Sequence, residues 1–221
     1  MSKTDASVSE DNGNAAIAPS ALQIYSVGIS TGGVAEIRIA KQNPKRQIIA
    51  TTIDQLGAHE AGEYIARSGY ASQIDVRLED VSKKLVYQDN FFDFVYARLV
   101  LHYLDKQQLK EALDELFRIL KPTCKIFIVV RSNKCLDAHL PSSKYDVATS
   151  QTSYRRLEPR TGKVKTHYRY FHSEDSIKSA VSLAGFKIVH VKSYKERLFS
   201  DFMRTKQSRH TDNVIEVLAQ K

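Results

Sequence analysis

The residues of this chain that could do chemistry stand directly behind apolar runs. Gly28, Ser30 and Gly32 follow an apolar run at 22–27, and Asp54 follows a second one at 48–53. Glycines let a backbone approach a ligand closely, and the free N–H groups at the start of a helix favour negative charge. A carboxylate at the end of the next strand can accept hydrogen bonds from both hydroxyls of a ribose. The pattern predicts a site that binds a nucleoside or nucleotide.

His102 is the candidate for proton transfer, because it follows the fourth predicted strand at the same end of the sheet. An imidazole can accept a proton near neutral pH. The competing interpretation is a structural histidine at a helix start, bonded to a backbone carbonyl. Asp80 follows the third predicted strand, and its competing interpretation is an exposed acid in a loop.

Alternating strands and helices must position these residues. Apolar, β-branched runs predict strands at 22–27, 47–53, 74–78, 91–98, 125–130, 186–191 and 213–218. Helical periodicity predicts helices at 33–41 and 56–67, one capped by Asp105 with Gln108 in a capping box and stopped by Pro122, and one from Ser173 to Gly185. The predicted fold class is α/β: a doubly wound, mostly parallel seven-stranded sheet with helices on both faces and an antiparallel last strand.

Two stretches break the alternation. Residues 132–172 form a predicted lid insertion, irregular at first and then a hairpin with strands at 152–157 and 164–170. Arginines, lysines and tyrosines crowd this hairpin, which favours an anionic or aromatic small-molecule substrate. A solvated basic edge that discourages strand pairing is the alternative. The second stretch, 192–212, is basic and is predicted to be irregular.

Composition sets the outer limits. The chain has 221 residues, of which 42% are apolar and 26% charged, as expected for one domain with a full core. Residues 1–20 are polar and are predicted to be a disordered tail, followed by a single domain over 21–221. No apolar run is long enough to span a membrane, and Cys124 and Cys135 have no metal-ligand or disulfide spacing, so a cytoplasmic protein is expected. The net charge of +8 indicates non-specific attraction to anions.

Six segments, taken in order, resemble the class I S-adenosylmethionine-dependent methyltransferases. They are the glycine motif at 27–32, Asp54, the pair Glu79-Asp80, the stretch 92–104, the helix ending in Arg118-Ile119-Leu120-Lys121-Pro122, and the segment from Tyr170 to Phe186. The resemblance covers the chain from Leu22 to its end and is loosest in the lid. It implies a Rossmann-like methyltransferase fold and S-adenosylmethionine as the cofactor.

The resemblance also implies which residues form the site. The cofactor would be bound by Val27, Gly28, Ser30, Gly32, Asp54, Gln55, Asp80, Val81 and Ala97. Asp54 would hold the ribose, and the acids after the third strand would lie beside the adenine. His102 is the catalytic candidate. The family has no fixed catalytic residue, because the methyl donor is already activated and the protein mainly aligns the reactants.

Two positions depart from the family pattern. Ser26 stands where the family usually carries an acid, and Ser30 stands in place of the second motif glycine. Three functions therefore compete: a small-molecule methyltransferase, which is favoured, a non-catalytic binding protein with the same fold, and an RNA methyltransferase. Against the last, the fourth strand lacks the Asn/Asp-Pro-Pro-aromatic turn used on base amino groups.

Overall fold

The computed structural model describes residues 7–30, 32–157, 162–199 and 207–221. Within these residues the strands are Gln23–Val27 (β1), Gln47–Thr52 (β2), Ile74–Leu78 (β3), Phe92–Arg98 (β4), Leu120–Arg131 (β5), Lys144–Asp146 (β6), Gln151–Leu157 (β7), Val164–Arg169 (β8), Lys187–Phe199 (β9) and Gln207–Gln220 (β10). The α-helices are Val8–Ala16 (α1), Val34–Gln42 (α2), Gln55–Ser68 (α3), Lys106–Ile119 (α4) and Glu174–Leu183 (α5).

The main sheet has seven strands in the order β3-β2-β1-β4-β5-β10-β9. The first five of these pair in parallel, and β10 runs antiparallel to both β5 and β9. The predicted doubly wound, mostly parallel sheet with an antiparallel last strand is therefore confirmed. Because strand order reverses beside β1, the connections that leave β1 and β4 lead to helices on opposite faces of the sheet, and a crevice for a ligand lies between them.

Two hydrophobic clusters, one on each face, bury the sheet. Helices α4 and α5 cover one face through Leu113 and Val181, while α2 and α3 cover the other through Ile39 and Ile65. The predicted capping box of α4 is present: Gln108 N donates to Asp105 Oδ1 at 2.8 Å, and Asp105 N donates to Gln108 Oε1 at 3.1 Å. In the described part of the chain, no helix is both long and apolar enough to cross a membrane.

The predicted lid contains a second, three-stranded antiparallel sheet of β6, β7 and β8. The predicted hairpin is present as β7 and β8, whereas β6 falls in a stretch that was predicted to be irregular. The sheet lies against the segment after β4, since Gln151 Nε2 donates to Tyr103 O and Tyr170 N donates to His102 O. The lid thus positions the loop that carries His102.

The C-terminal hairpin is longer than predicted. Strands β9 and β10 continue through most of 192–212, which the sequence analysis took as irregular. We call the described part of this extension, residues 192–199 and 207–213, the arm. Glu196 is buried on the arm, and its neighbours along the strand are polar and more exposed. Because the buried residue is itself charged, the alternation of buried and exposed residues in this strand does not appear in the sequence as an alternation of apolar and polar residues.

The prediction of a disordered tail over 1–20 is wrong for the described residues from Ser7 onwards. Helix α1 occupies Val8–Ala16 and packs against the sheet through Gly13, which contacts the rings of Tyr96 and Phe127. Its buried face is polar, and tertiary partners satisfy it: Ser9 N and Ser9 Oγ donate to the two oxygens of Glu196. Residues 1–6 lie outside the described part of the chain.

Candidate functional site

The glycine turn follows β1 as predicted, and Gly28 has a left-handed backbone with φ of 80°. Its amide and that of Ile29 both donate to Thr51 O at 2.8 Å. A Cβ atom on Gly28 would lie 2.6 Å from Val100 Cγ2, so glycine is required here for the packing of Val100 as well as for the turn. The sequence analysis had assigned that close approach to a ligand.

A buried carboxylate lies directly beside this turn. Glu36, in the first turn of α2, is 3% exposed, and its Oε1 accepts a hydrogen bond from Ser26 Oγ at 2.7 Å. Ser26 lies on β1 at the position where an acid was expected from the family pattern. The structure therefore places a carboxylate beside that position, but on the neighbouring helix.

Asp54 follows β2 and is the N-cap residue of α3. Its side chain is exposed, accepts no hydrogen bond from the helix start, and lies against Gly57, where an added Cβ would be 2.8 Å from Asp54 Oδ2. An exposed carboxylate of this kind is available to hydroxyl groups. Gln55 beside it is also exposed, as the first residue of α3.

The other predicted cofactor residues lie at the ends of β3 and β4. Asp80 Oδ1 accepts bonds from Ser82 N at 2.9 Å and Ser82 Oγ at 2.7 Å, which closes its own turn. Val81 and Ala97 are buried in the core cluster of the α4 face. Glu79, which precedes this turn, accepts a hydrogen bond from Tyr25 Oη.

A cavity of about 290 Å³ opens where the carboxyl ends of β1, β4 and β5 meet. Its wall consists of Val27, Gly28, Ser30, Ala35, Glu36, Tyr96, Arg98, Leu99, His102, Tyr103, Arg131, Arg169, Leu198 and Asp212. Of the residues predicted from the sequence, the cavity brings together Val27, Gly28, Ser30 and His102. Gly32, Asp54, Gln55, Asp80, Val81 and Ala97 do not line it.

His102 lies in the cavity wall and is 2% exposed. Its pKa is well below the ordinary value of 6.5, because burial disfavours the charged ring and Arg169, Arg131 and His172 add positive charge nearby. The ring is therefore neutral at neutral pH. Its Nδ1 atom is buried and has no hydrogen-bond partner among the described residues. The backbone carbonyl that a purely structural histidine was expected to bind is therefore not found at Nδ1.

Arg98, in the cavity wall, links the end of β4 to the start of α1 and to the arm. This guanidinium, at the end of β4, donates to Ser9 Oγ at 2.6 Å and to Ser7 Oγ at 2.5 Å, and lies 3.7 Å from a carboxylate oxygen of Glu196. At the end of the neighbouring strand β5, Arg131 pairs with Asp137 of the lid and Asp212 of the arm. These two arginines thus connect α1, the arm and the lid to the sheet.

Several cavity residues were not singled out by the sequence analysis: Glu36 as a site residue, Arg98, Arg131 and Asp212. Arg98 and Arg131 each end a strand, so the rule that ligands bind at the carboxyl ends of parallel strands could have found them. Asp212 could not be found this way, because its position depends on the unpredicted arm.

Comparison with known proteins agrees with the resemblance seen in the sequence. Residues 25–128 match the model of the methyltransferase domain family. The fold is similar to that of a methyltransferase dependent on S-adenosylmethionine from Methanosarcina mazei, with a TM-score of 0.72 and 17% identity over 94% of this chain and 95% of that one. A search of curated protein sequences finds no match.

Two further solved structures share the fold. The CcbJ methyltransferase from Streptomyces caelestis has a TM-score of 0.69 at 13% identity, over 96% of this chain and 94% of that one. The [4+2]-cyclase SpnF has a TM-score of 0.68 at 18% identity, over 96% of this chain and 80% of that one. At such identities the similarity shows the fold.

The domain match agrees with S-adenosylmethionine, the cofactor that the sequence resemblance implies. The residues present fit the two polar ends of that molecule. Glu36 offers a buried carboxylate in the cavity wall to an ammonium group, and Asp54 offers an exposed carboxylate at the end of β2 to ribose hydroxyls. In the described part of the chain, no group of metal-ligating side chains comes together.

Proposed function

From the match of residues 25–128 to the methyltransferase domain family we propose that the protein transfers a methyl group from S-adenosylmethionine to a small molecule. The observation that carries the proposal is the buried carboxylate of Glu36, hydrogen-bonded to Ser26 in the wall of a cavity beside the glycine turn. A carboxylate in the cavity wall can accept a charge-assisted hydrogen bond from the ammonium group of the cofactor.

The proposed cofactor site runs across the carboxyl ends of three strands. Glu36 binds the ammonium group, the turn at Gly28 and Ser30 lies beside the amino-acid end, and Asp54 accepts hydrogen bonds from the ribose. Asp80, at the end of β3, remains our prediction for the adenine end. This assignment of the amino-acid end, the ribose and the adenine to successive strands follows from the strand order, since β1, β2 and β3 are neighbours in the sheet.

When bound, the cofactor supplies a methyl group activated by a positively charged sulfur. The chain's own residues then need to orient the acceptor and keep water out, and such alignment alone can lower a barrier by several kcal/mol. We assign the exclusion of water on one side of the cavity to Arg98, which Ser9 of α1 and Glu196 of the arm hold in the wall. The neutral ring of His102 can accept a hydrogen bond from the acceptor group, and its lowered pKa makes it a weak acceptor of a proton.

The size and lining of the cavity favour a small acceptor over a nucleic acid. A polynucleotide requires an open, basic groove that follows its backbone. Here Arg169 of the lid and Leu198 of the arm line the cavity, and so do the carboxylates of Glu36 and Asp212. The net charge of +8 therefore does not describe the charge of the site.

Calorimetry with S-adenosylhomocysteine tests the proposal, because this product analogue needs no knowledge of the acceptor. We expect saturable binding with one ligand per chain. SpnF has the same fold and is described as a cyclase, so binding and methyl transfer must be tested separately. Transfer of labelled methyl groups to a panel of small acids, phenols and amines would provide the second test.

A further inference from the structure

Arg169 is the cavity arginine without a carboxylate partner in the described part of the chain. Its guanidinium carbon lies 3.7 Å from the centroid of the Tyr103 ring, and Nη1 donates to the backbone oxygen of Tyr168 at 2.7 Å. Arg98 and Arg131 in the same wall have carboxylates within ion-pair distance. Arg169 thus lies over the face of an aromatic ring, while the rest of its hydrogen-bond donors are not used by the described residues.

Two buried nitrogen atoms of the same wall also lack partners. Arg131 Nε and His102 Nδ1 make no hydrogen bond to the residues that the structure describes, although both residues line the cavity. Unsatisfied buried polar groups are rare in native proteins and call for an explanation. Since Nε of an arginine can only donate, the group that satisfies Arg131 must be an acceptor.

The charges of the described wall residues indicate the charge of a group that the cavity can hold. Arg98 is paired with Glu196, and Arg131 with Asp137 and Asp212, so Arg169 is the one arginine of this wall without a described carboxylate partner. The positive charges of Arg169 and Arg131 also contribute to the lowered pKa of His102. A monoanion matches the single charge of Arg169, whereas a dianionic phosphate would bring excess negative charge near Asp137 and Asp212, the partners of Arg131.

From these contacts we infer that the methyl acceptor is a carboxylic acid whose carboxylate is bound by Arg169 and Arg131. The inference rests on the proposed function. Arg131 ends β5, which is two strands away from β1 and the glycine turn, a separation of about 10 Å at the usual spacing of strands. The carboxylate site is therefore on the acceptor side, and the amino-acid end of the cofactor is on the Glu36 side.

Calorimetric titration of the full-length protein with sodium benzoate and with neutral benzamide tests this inference without knowledge of the true acceptor. We expect benzoate to bind at least about tenfold more tightly than benzamide, because a guanidinium–carboxylate pair is a charge-assisted bond. Saturating S-adenosylhomocysteine should leave benzoate binding intact. The variant Arg169→Gln should weaken benzoate binding about tenfold, and Arg169→Lys, which keeps the charge without the planar fork, should fall between the two.

The matched control is Arg155→Gln, an exposed arginine of the same hairpin that does not line the cavity, and it should bind benzoate like the wild type. Equal affinities for benzoate and benzamide would overturn the inference. Displacement of benzoate by S-adenosylhomocysteine would also overturn it, because the carboxylate held there would then be the cofactor's own. Failure of S-adenosylhomocysteine to bind, with benzoate binding intact, would contradict the proposed function and leave the carboxylate site standing.

Discussion

Ser26 and Glu36 are joined by a hydrogen bond of 2.7 Å between β1 and the first turn of α2. Both side chains are buried, and the carboxylate lines the cavity beside Gly28. The first turn of a helix suits a negative charge, so α2 can carry this carboxylate at little cost. A carboxylate is therefore present beside the position on β1 where the family pattern has an acid, but it belongs to the adjacent helix.

The first prediction concerns Glu36→Gln, which removes the charge and nearly keeps the shape of the side chain. Affinity for S-adenosylhomocysteine should fall by about 10- to 100-fold, since a hydrogen bond to a charged group contributes about 1.5–3 kcal/mol. Affinity for 5′-methylthioadenosine, which lacks the amino-acid end, should not change. Calorimetry with both ligands provides the measurement.

Glu63→Gln is the control for this variant, because Glu63 is exposed on α3 and does not line the cavity. It should bind both ligands as the wild type does. An equal loss of affinity for the two ligands in Glu36→Gln would show that the substitution disturbs the glycine turn, and the ammonium assignment would then fail.

The second prediction concerns Asp54→Asn. The carboxylate at the end of β2 should accept hydrogen bonds from the ribose, which both ligands contain. Affinity for S-adenosylhomocysteine and 5′-methylthioadenosine should therefore fall together, by about tenfold each. Asp75→Asn, at an exposed position on β3 beside Arg77, is the control. Unchanged affinities in Asp54→Asn would place the ribose elsewhere.

The third prediction is a loss of stability in weak acid. His172 is fully buried, which lowers its pKa to about 3, and the pKa of His102 is also well below 6.5. Below pH 6.5 the unfolded chain binds protons at both positions and the folded chain does not. The free energy of unfolding should therefore fall with pH, by up to about 1.4 kcal/mol per pH unit for each histidine.

Urea unfolding of the wild type and of His172→Phe between pH 7.5 and 5 checks this. Phenylalanine keeps a ring against Tyr170, which stacks on His172 with centroids 3.9 Å apart. Between pH 6 and 5 the wild type should lose about 1 kcal/mol more than the variant. Parallel curves would mean that His172 takes up a proton in the folded state.

The fourth prediction contrasts two glycines in helices. A Cβ on Gly13 would lie 2.6 Å from Tyr96 Cε2 and 2.7 Å from Phe127 Cε1, so Gly13→Ala should destabilise the protein by about 1–3 kcal/mol through overpacking. An added Cβ on Gly62 meets nothing within 4 Å, so Gly62→Ala should stabilise it by about 0.5–1 kcal/mol. Urea unfolding at pH 7.5 compares them. A stabilising Gly13→Ala would mean that α1 does not dock on the sheet.

Sequence patterns predicted the parts of the fold that are locally encoded. The capping box of Asp105 and Gln108 needs only residues three apart, and the strands of the parallel sheet are continuous apolar runs. Helix α1 and the arm were missed because their buried residues are polar. Ser9 and Glu196 satisfy each other although they are 187 positions apart, and no local pattern encodes such a pair.

The same distinction holds for the candidate site. Gly28 and His102 follow strands, so strand prediction alone placed them at the cavity. Glu36 was not singled out, because its contact with Ser26 depends on how α2 packs on β1. Arg169 was recognised within a basic hairpin, but its place over Tyr103 depends on the fold of the lid.

Calorimetric titration of the full-length protein with S-adenosylhomocysteine is the most direct test of the proposed methyltransferase function. Saturable binding of one ligand per chain, weakened by Glu36→Gln and by Asp54→Asn but not by Glu63→Gln, is the predicted result. The absence of any heat of binding at millimolar ligand, from protein whose unfolding shows it to be folded, would contradict it.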